Sequence, residues 1–203
     1  MSKEIYLIRH GRTEFNRLGI WQGSGVDSSL DSVGKEQAER FFSTYRDVEF
    51  DLVIHSTLKR SKETVSPFIE MGRETHETAL INEISWGDFE GKVHTDESLR
   101  NYKKVVEEWG SGQYESALPG GESARALELR LSNFVEELKE LSQSKILICS
   151  HGRAIRGLLC VMKNEPMSAM ENYQHANTGL FKANFYNGKF DFQTYNNIDH
   201  LEY

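Results

Sequence analysis

Residues 5–16 read Ile-Tyr-Leu-Ile-Arg-His-Gly-Arg-Thr-Glu-Phe-Asn, and the prediction of the fold begins from this stretch. Its first four residues, Ile5–Ile8, form a short apolar run that is typical of a buried strand. The run leads into Arg9 and His10, whose side chains are poorly suited to packing. In open α/β sheets, ligands bind at the carboxyl ends of the strands. The stretch therefore predicts a buried strand that carries functional side chains at its end.

The same pattern occurs again late in the chain, where residues 145–152 read Lys-Ile-Leu-Ile-Cys-Ser-His-Gly. The apolar run Ile146–Cys149 leads into His151 and Gly152. Two strands that each end in a His-Gly pair are hard to explain by packing, whereas titratable groups are typical of functional sites. We expect both histidines to lie at the same edge of one sheet.

Composition and charge narrow the class of protein. The chain has 203 residues, of which 27% are charged and 38% hydrophobic, as expected for one globular domain over residues 1–203. A net charge of -7 argues against general nucleic-acid binding. No apolar run approaches the roughly 20 residues of a membrane helix, so no membrane partner is expected. The sequence shows no signal-peptide pattern, and it has only two cysteines, Cys149 and Cys160. Both observations favour a cytoplasmic protein with reduced thiols.

Strands and helices alternate along the chain, which favours an α/β fold. Helical spacing predicts helices over 32–46, 123–141 and 154–162, with Asp31 or Ser32 capping the first. Further strands are predicted over 51–55 and, more weakly, over 77–81. A helix capped by Ser56 or Thr57 is predicted to start near Leu58. Asn187-Gly188 between two aromatic-rich runs predicts a hairpin over 179–195.

Arg60 falls in the first turn of the helix predicted near Leu58. A cation there opposes the helix dipole, and an exposed arginine without a function is the ordinary interpretation. A phosphate bound at the helix start would remove the conflict, because helix N-termini bind anions and arginine binds phosphate with two parallel hydrogen bonds. From the residues alone, both interpretations stay open.

Arg9-His10-Gly11-x-Thr13, with Asn16 beyond it and Ser150-His151-Gly152 late in the chain, resembles the histidine phosphatase superfamily. That family includes the cofactor-dependent phosphoglycerate mutases and many small phosphatases. The strand, serine and arginine ending at Arg60 and the string Pro-Gly-Gly-Glu-Ser over 119–123 match it as well, so the resemblance spans nearly the whole chain. It implies a three-layer αβα sandwich around a mostly parallel sheet, as in phosphoglycerate mutases, with residues 92–118 as a cap over the pocket.

The resemblance also assigns roles to residues. It implies His10 as the nucleophile, Glu83 as the proton-transfer carboxylate, and His151, Arg9 and Arg60 as further catalytic groups. From the residues alone, Glu83 belongs to an acidic cluster over 83–90 that is most often a solvated loop. Residues 17–30 form a loop that is expected to be part of the rim of the pocket. The residues expected to bind phosphate or substrate are Arg9, Asn16, Gln22, Gly23, Arg60, His151 and Gly152.

These groups suit phosphoryl transfer, because arginines neutralise the phosphoryl oxygens and a neutral imidazole attacks in line. Arginines beside His10 should lower its pKa, and its other nitrogen needs an acceptor, for which the backbone near Gly11 is the candidate. His10, His151 and Glu83 have the donor types of a zinc site, but Arg9 repels a dication, so neither a metal nor another cofactor is expected.

A phosphomonoester phosphatase with a phosphohistidine intermediate and a small phosphorylated metabolite as substrate is therefore the favoured interpretation. A cofactor-dependent phosphoglycerate mutase is the alternative. The mutases that the chain resembles are longer, whereas only 28 residues separate Gly91 from Gly120 here, which favours the phosphatase. A non-catalytic phospho-ligand-binding module is the alternative of another class. The sequence leaves the physiological substrate and the oligomeric state open.

Overall fold

Six strands form one sheet in the computed structural model, which describes residues 2–202. In chain order, they are β1 (Lys3–Arg9), β2 (Leu52–Ser56), β3 (Thr75–Thr78), β4 (Lys145–Ser150), β5 (Leu180–Tyr186) and β6 (Lys189–Asn197). Their order across the sheet is β3-β2-β4-β1-β5-β6. The pairs β3/β2, β2/β4 and β4/β1 are parallel, and β1/β5 and β5/β6 are antiparallel. The predicted α/β fold with a mostly parallel sheet is confirmed.

Helices cover both faces of this sheet. The α-helices among residues 2–202 are α1 (Glu14–Leu18), α2 (Ser32–Tyr45), α3 (Lys59–Glu70), α4 (Asp96–Gly110), α5 (Ala124–Glu140) and α6 (Gly152–Lys163). Short 3₁₀ helices span Ala79–Ile81, Gly87–Phe89, Met167–Asn172 and Asp199–Leu201.

Alternate side chains of β1 divide the core into two layers. Ile5 and Leu7 belong to a buried cluster with α5 and α6, whereas Tyr6 and Ile8 belong to a second cluster with α2 and α3. This alternation is the two-residue period of a strand buried on both faces. The layers are therefore helix, sheet and helix, as the sequence predicted.

Two local predictions need correction, and one helix was not predicted. The strand predicted over 77–81 lies earlier in the chain, at β3, and the apolar residues Ala79–Ile81 form a 3₁₀ helix instead. The prediction was misplaced because β3 is an exposed edge strand that has no apolar run. Helix α3 is not capped by Ser56 or Thr57: its N-cap is Leu58, with no side-chain cap hydrogen bond. Helix α1 was not predicted, since five residues are too short for helical spacing to show.

Other element predictions are confirmed, with ends that shift by one or two residues. Asp31 caps α2, and its carboxylate accepts a hydrogen bond from the Gly34 amide. Asn187 and Gly188 both have positive φ, 50° and 77°, as a type I′ turn between β5 and β6 requires. Cys149 and Cys160 are buried and unpaired.

The segment predicted as a cap, residues 92–118, contains α4. This helix packs against the 3₁₀ helix Met167–Asn172, and its Trp109 is buried in the core. Its N-cap Thr95 forms a capping box with Ser98.

In the described part of the chain, 2–202, the helices are all too short or too polar to cross a bilayer.

Candidate active site

Three neighbouring parallel strands end at one edge of the sheet, and their last residues or the residues just after them form the candidate site. His10 follows β1, His151 follows β4, and Ser56 ends β2. The two imidazole rings lie with their centroids 5.1 Å apart. Both rings are almost fully buried, with 2% and 0% exposure. The structure therefore brings together the two histidines that the sequence singled out.

The tautomer of His10 follows from its backbone partner. Its Nδ1 lies 2.7 Å from the carbonyl oxygen of Gly11, which only accepts, so Nδ1 donates and Nε2 keeps its lone pair. Burial, with the charges of Arg60 and Arg9, holds the pKa of His10 well below its usual value. His10 is a neutral imidazole with a free nucleophilic nitrogen. The acceptor expected near Gly11 is confirmed.

Both nitrogens of His151 have partners. The Nε of Arg60 donates to Nδ1 at 3.2 Å, so the ring proton is on Nε2, which donates to the Ser56 hydroxyl at 2.7 Å. Burial, with the charge of Arg60 and the neighbouring His10, holds the pKa of His151 well below its usual value. His151 is therefore a neutral hydrogen-bond donor beside His10.

Arg60 is fully buried at the second position of α3. Its two terminal nitrogens donate to the carbonyl oxygens of Val26 at 2.7 Å and Gly23 at 3.1 Å. Burial lowers the pKa of Arg60 to about 10, so the guanidinium stays charged at neutral pH. Arg60 is therefore a charged, buried side chain beside His151, so the interpretation as an exposed arginine is wrong, and phosphate binding by Arg60 stays a prediction.

The rim loop reaches Arg60 because Gly23 has no side chain. A Cβ on Gly23 would lie 2.2 Å from Glu90 Oε1 and 2.5 Å from the Ile84 carbonyl oxygen. Such distances are too short for any atom pair that is not bonded. Glu90, whose role the sequence left open, also accepts a hydrogen bond from the Trp86 amide at 2.8 Å. The Glu90 side chain thus packs against Gly23, while its hydrogen bond stays within the 83–91 segment.

Two other residues expected to bind substrate have partners inside the protein. The side-chain oxygen of Asn16 accepts from the Thr13 amide at 3.1 Å, as part of the cap of α1. That of Gln22 accepts from the Thr13 hydroxyl at 3.0 Å and from the Ser28 hydroxyl. Both are half-buried. The oxygen atoms of both side-chain amides are therefore held by neighbouring residues, Thr13 and Ser28, at the border of the site.

Glu83 reaches the site from the loop before the 3₁₀ helix Gly87–Phe89 and is 7% exposed. Its Oε1 accepts from the amides of Ile84 at 2.9 Å and Ala154 at 3.0 Å, and its Oε2 accepts from the Arg153 amide at 3.1 Å. The carboxylate therefore lies at the N-terminus of α6, where it accepts from two amides of the first turn. Glu83 is not a residue of a solvated loop.

Arg9 is half-buried, and its Nε is buried without a hydrogen-bond partner among residues 2–202. Burial lowers the pKa of Arg9, and the charge of Glu83 acts against that shift. An orphaned donor at the end of β1 is a polar group that a bound anion would satisfy.

His175 lies in this site although no motif or strand end marks it in the sequence. A Cβ on Gly152 would lie 2.8 Å from the His175 ring, so the glycine allows the imidazole to pack on the start of α6. Burial, with the charge of Arg9, lowers the pKa of His175 to about 3. The adjacent loop is hydrogen-bonded to the end of β1, where the side-chain amide of Asn177 donates to the His10 carbonyl oxygen at 2.8 Å. Only the folded chain brings this segment to the first strand.

No group of three or more His, Cys, Asp or Glu side chains in residues 2–202 is arranged to hold a metal ion.

Known proteins resemble the chain over almost its full length. The model of the histidine phosphatase superfamily (branch 1) matches residues 5–198. The adenosylcobalamin/alpha-ribazole phosphatase of Escherichia coli is 30% identical over 193 residues, which are 92% of this chain and 91% of that protein. A 2,3-bisphosphoglycerate-dependent phosphoglycerate mutase of Methylorubrum extorquens is 29% identical over 171 residues, 80% of each protein.

A solved structure of a phosphatase resembles the fold of this chain. The phosphoserine phosphatase of Entamoeba histolytica, in complex with 3-phosphoglyceric acid, superposes with a TM-score of 0.81 and 26% identity. The match covers 98% of this chain and 99% of that chain. With its two strand-end histidines, its buried arginine and a family match over residues 5–198, the chain belongs to branch 1 of the histidine phosphatase superfamily.

Proposed function

We propose that the protein is a phosphomonoester phosphatase that works without a metal ion, through a phosphohistidine on His10. The substrate is a small phosphorylated metabolite. The observation that carries the proposal is the pair of neutral histidines, with ring centroids 5.1 Å apart, beside the charged Arg60. This set combines a nucleophile, a hydrogen-bond donor and a cation, which are the groups that phosphoryl transfer needs.

The hydrogen bonds favour His10 over His151 as the nucleophile. His10 uses only Nδ1, toward Gly11, whereas His151 uses Nδ1 toward Arg60 and Nε2 toward Ser56. A nitrogen can attack phosphorus only with a free lone pair, and His10 Nε2 has one. This argument from hydrogen bonding is independent of the family resemblance on which the sequence-based choice depended.

In the first step, His10 Nε2 attacks the phosphorus atom and forms a P–N bond. The P–O bond to the leaving group breaks, and its electron pair goes to the leaving oxygen, which takes a proton from Glu83. Arg60 and Arg9 neutralise the phosphoryl oxygens, and the Nε2–H of His151 exchanges its Ser56 acceptor for one of these oxygens when the substrate is bound. In the second step, water gives a proton to Glu83 and attacks phosphorus, and the electron pair of the P–N bond returns to Nε2.

Two features bear on the choice between phosphatase and mutase. The relatives include both classes, one named a phosphatase and another a phosphoglycerate mutase. The short segment between Gly91 and Gly120 does not separate the two classes, because this mutase is matched over 80% of each protein and is therefore about as long as this chain. The broader match to the phosphatase, over 92% of this chain, favours the phosphatase. A pure binding module needs no lone pair on His10 and no carboxylate at Glu83, so the geometry favours an enzyme over it.

The test measures phosphate release from p-nitrophenyl phosphate, with and without EDTA, for the wild type and His10→Ala. We expect release that survives EDTA and is lost in the variant. The matched control is His76→Gln, which replaces an exposed histidine of β3. Full turnover by His10→Ala, or release abolished by EDTA, would refute the mechanism.

A second measurement separates the alternatives. Brief incubation with ³²P-labelled substrate and quenching in alkali should label the wild type and not His10→Ala, because a phosphohistidine survives alkali. A binding module would carry no label. Incubation with 3-phosphoglycerate and catalytic bisphosphoglycerate should give phosphate rather than 2-phosphoglycerate if the protein is a phosphatase.

A further inference from the structure

The first turn of α6 is capped by a residue that is distant in sequence. His151 is the N-cap residue, but its side chain makes no cap hydrogen bond. The amides of Arg153 and Ala154 donate instead to the Glu83 carboxylate. Amides of the first turn have no acceptor within their own helix, and the helix dipole favours an anion there. The position of Glu83 is therefore set by the position of the α6 backbone.

The two oxygens of Glu83 are not equivalent. Oε1 accepts two hydrogen bonds, from Ile84 and Ala154, whereas Oε2 accepts one, from Arg153. A carboxylate oxygen has two lone-pair directions. Oε1 is thus filled, and Oε2 has one lone pair left for a proton. The amide of Arg153 fixes the direction in which this lone pair points.

The side chain of Arg153 extends away from Glu83 into the cap. It is 5% exposed and donates to the Tyr102 hydroxyl and to Glu171. Its guanidinium carbon lies 5.7 Å from the centroid of the Tyr102 ring and 5.5 Å from that of the Trp109 ring, within range of cation–π attraction. Tyr102 and Trp109 both belong to α4. One residue therefore contacts the cap with its side chain and Glu83 with its backbone.

We propose that Arg153 is a positioning residue, which couples the α4 cap to Oε2, the oxygen of Glu83 that gives up and takes back the proton. The proposal rests on the proposed function, because the direction of Oε2 matters only if Glu83 transfers a proton. Arg153 does not touch the phosphoryl group in this role. Its loss lets the first turn of α6 shift, and the proton is then presented at a wrong angle.

The leaving group provides a test that a merely structural role would not pass. A nitrophenolate leaves without much help from an acid, whereas an alkoxide needs the proton. We therefore compare kcat/KM for p-nitrophenyl phosphate and for n-butyl phosphate. In Arg153→Met, the ratio of the two should rise about tenfold, a part of the 10²–10⁴ that general acid catalysis contributes. Tyr102→Phe, which removes only the hydroxyl acceptor, should raise the ratio in the same direction by a smaller factor.

Arg156→Met is the matched control. Arg156 lies on the same helix and binds the same carboxylate, Glu171, which takes its hydrogen bond and its ion pair among residues 2–202. The ratio should stay at the wild-type value in this variant. An equal loss for both substrates in Arg153→Met, no loss, or the same rise in Arg156→Met would overturn the proposal.

Glu83→Gln separates this proposal from the proposed function. If Glu83→Gln raises the ratio and Arg153→Met does not, only the role of Arg153 is wrong. If Glu83→Gln leaves the ratio unchanged, the assignment of Glu83 as the acid is wrong as well. Should Arg153→Met not fold, as judged by its melting curve, the ratio in Tyr102→Phe decides by the same criterion.

Discussion

Acidification below pH 6.5 is expected to destabilise the protein before its carboxylates titrate. His10, His151 and His175 are buried beside arginines, and their pKa values are held well below the usual 6.5, for His175 at about 3. In the unfolded chain they have ordinary pKa values and bind protons below pH 6.5. Stability is therefore fully present above pH 6.5 and is lost as the pH falls toward the folded-state pKa values, because the unfolded state binds more protons.

The magnitude follows from the number of groups. Each histidine that is neutral when folded and protonated when unfolded changes the free energy of unfolding by about 1.4 kcal/mol per pH unit. The two fully buried residues, His10 and His151, give about 2.7 kcal/mol between pH 5.5 and 4.5, and His175 brings the total to about 4 kcal/mol. Domains of ordinary stability have only about 5–15 kcal/mol. A large part of the stability should thus be lost within one or two pH units.

Urea unfolding, followed by tryptophan fluorescence from pH 7.5 to 4.5, measures this slope. His175→Gln should reduce the slope by about 1.4 kcal/mol per pH unit, the contribution of one proton. His76→Gln, at an exposed position of β3, controls for the loss of a histidine as such. A free energy of unfolding that stays constant between pH 7 and 5, or a slope unchanged in His175→Gln, would refute the neutral buried histidines.

Three further substitutions test the local structure. Gly23→Ala would place a Cβ 2.2 Å from Glu90 Oε1, and such overpacking costs about 1–3 kcal/mol. We therefore expect a melting temperature lower by several degrees and a fall in kcat/KM. An unchanged melting curve would contradict the contact. Asp31→Ala removes the cap of α2 and should cost about 1 kcal/mol, or about 2–4 °C, with little change in turnover. Ser56→Ala leaves His151 Nε2 without its partner and should cost about 1–3 kcal/mol in a urea titration, whereas a neutral effect would mean that the hydroxyl is not its acceptor.

The parts of the site that could be predicted from the sequence are those that follow a buried strand. His10 and His151 each end an apolar run, and parallel pairing of the two strands brings their ends together. The strand predicted over 77–81 was misplaced because β3 is exposed and has no apolar signal. Prediction thus succeeded for strands that are buried on both faces, because their burial requires a continuous run of apolar residues.

The contacts that adjust the site could not be predicted, because they join segments far apart in the chain. His175 meets Gly152, and Arg153 meets Tyr102, through packing of loops and helices for which no short motif exists. Glu83 was assigned by resemblance, but its place at the N-terminus of α6 depends on a hydrogen bond across 71 positions, to Ala154. Periodicity describes one element at a time and does not report such pairs.

Burial of Arg60 leaves the proposed phosphate site with unsatisfied donors. A guanidinium has five N–H donors, and three of those of Arg60 are used, by His151, Val26 and Gly23. Two remain, in a position with no exposure to solvent, and the orphaned Nε of Arg9 adds a third unsatisfied donor. Unsatisfied buried donors destabilise the folded chain, and a phosphoryl dianion removes this cost when it binds. Binding should therefore raise the melting temperature in inorganic phosphate, and Arg60→Met should abolish that rise because it removes the donors that the anion satisfies.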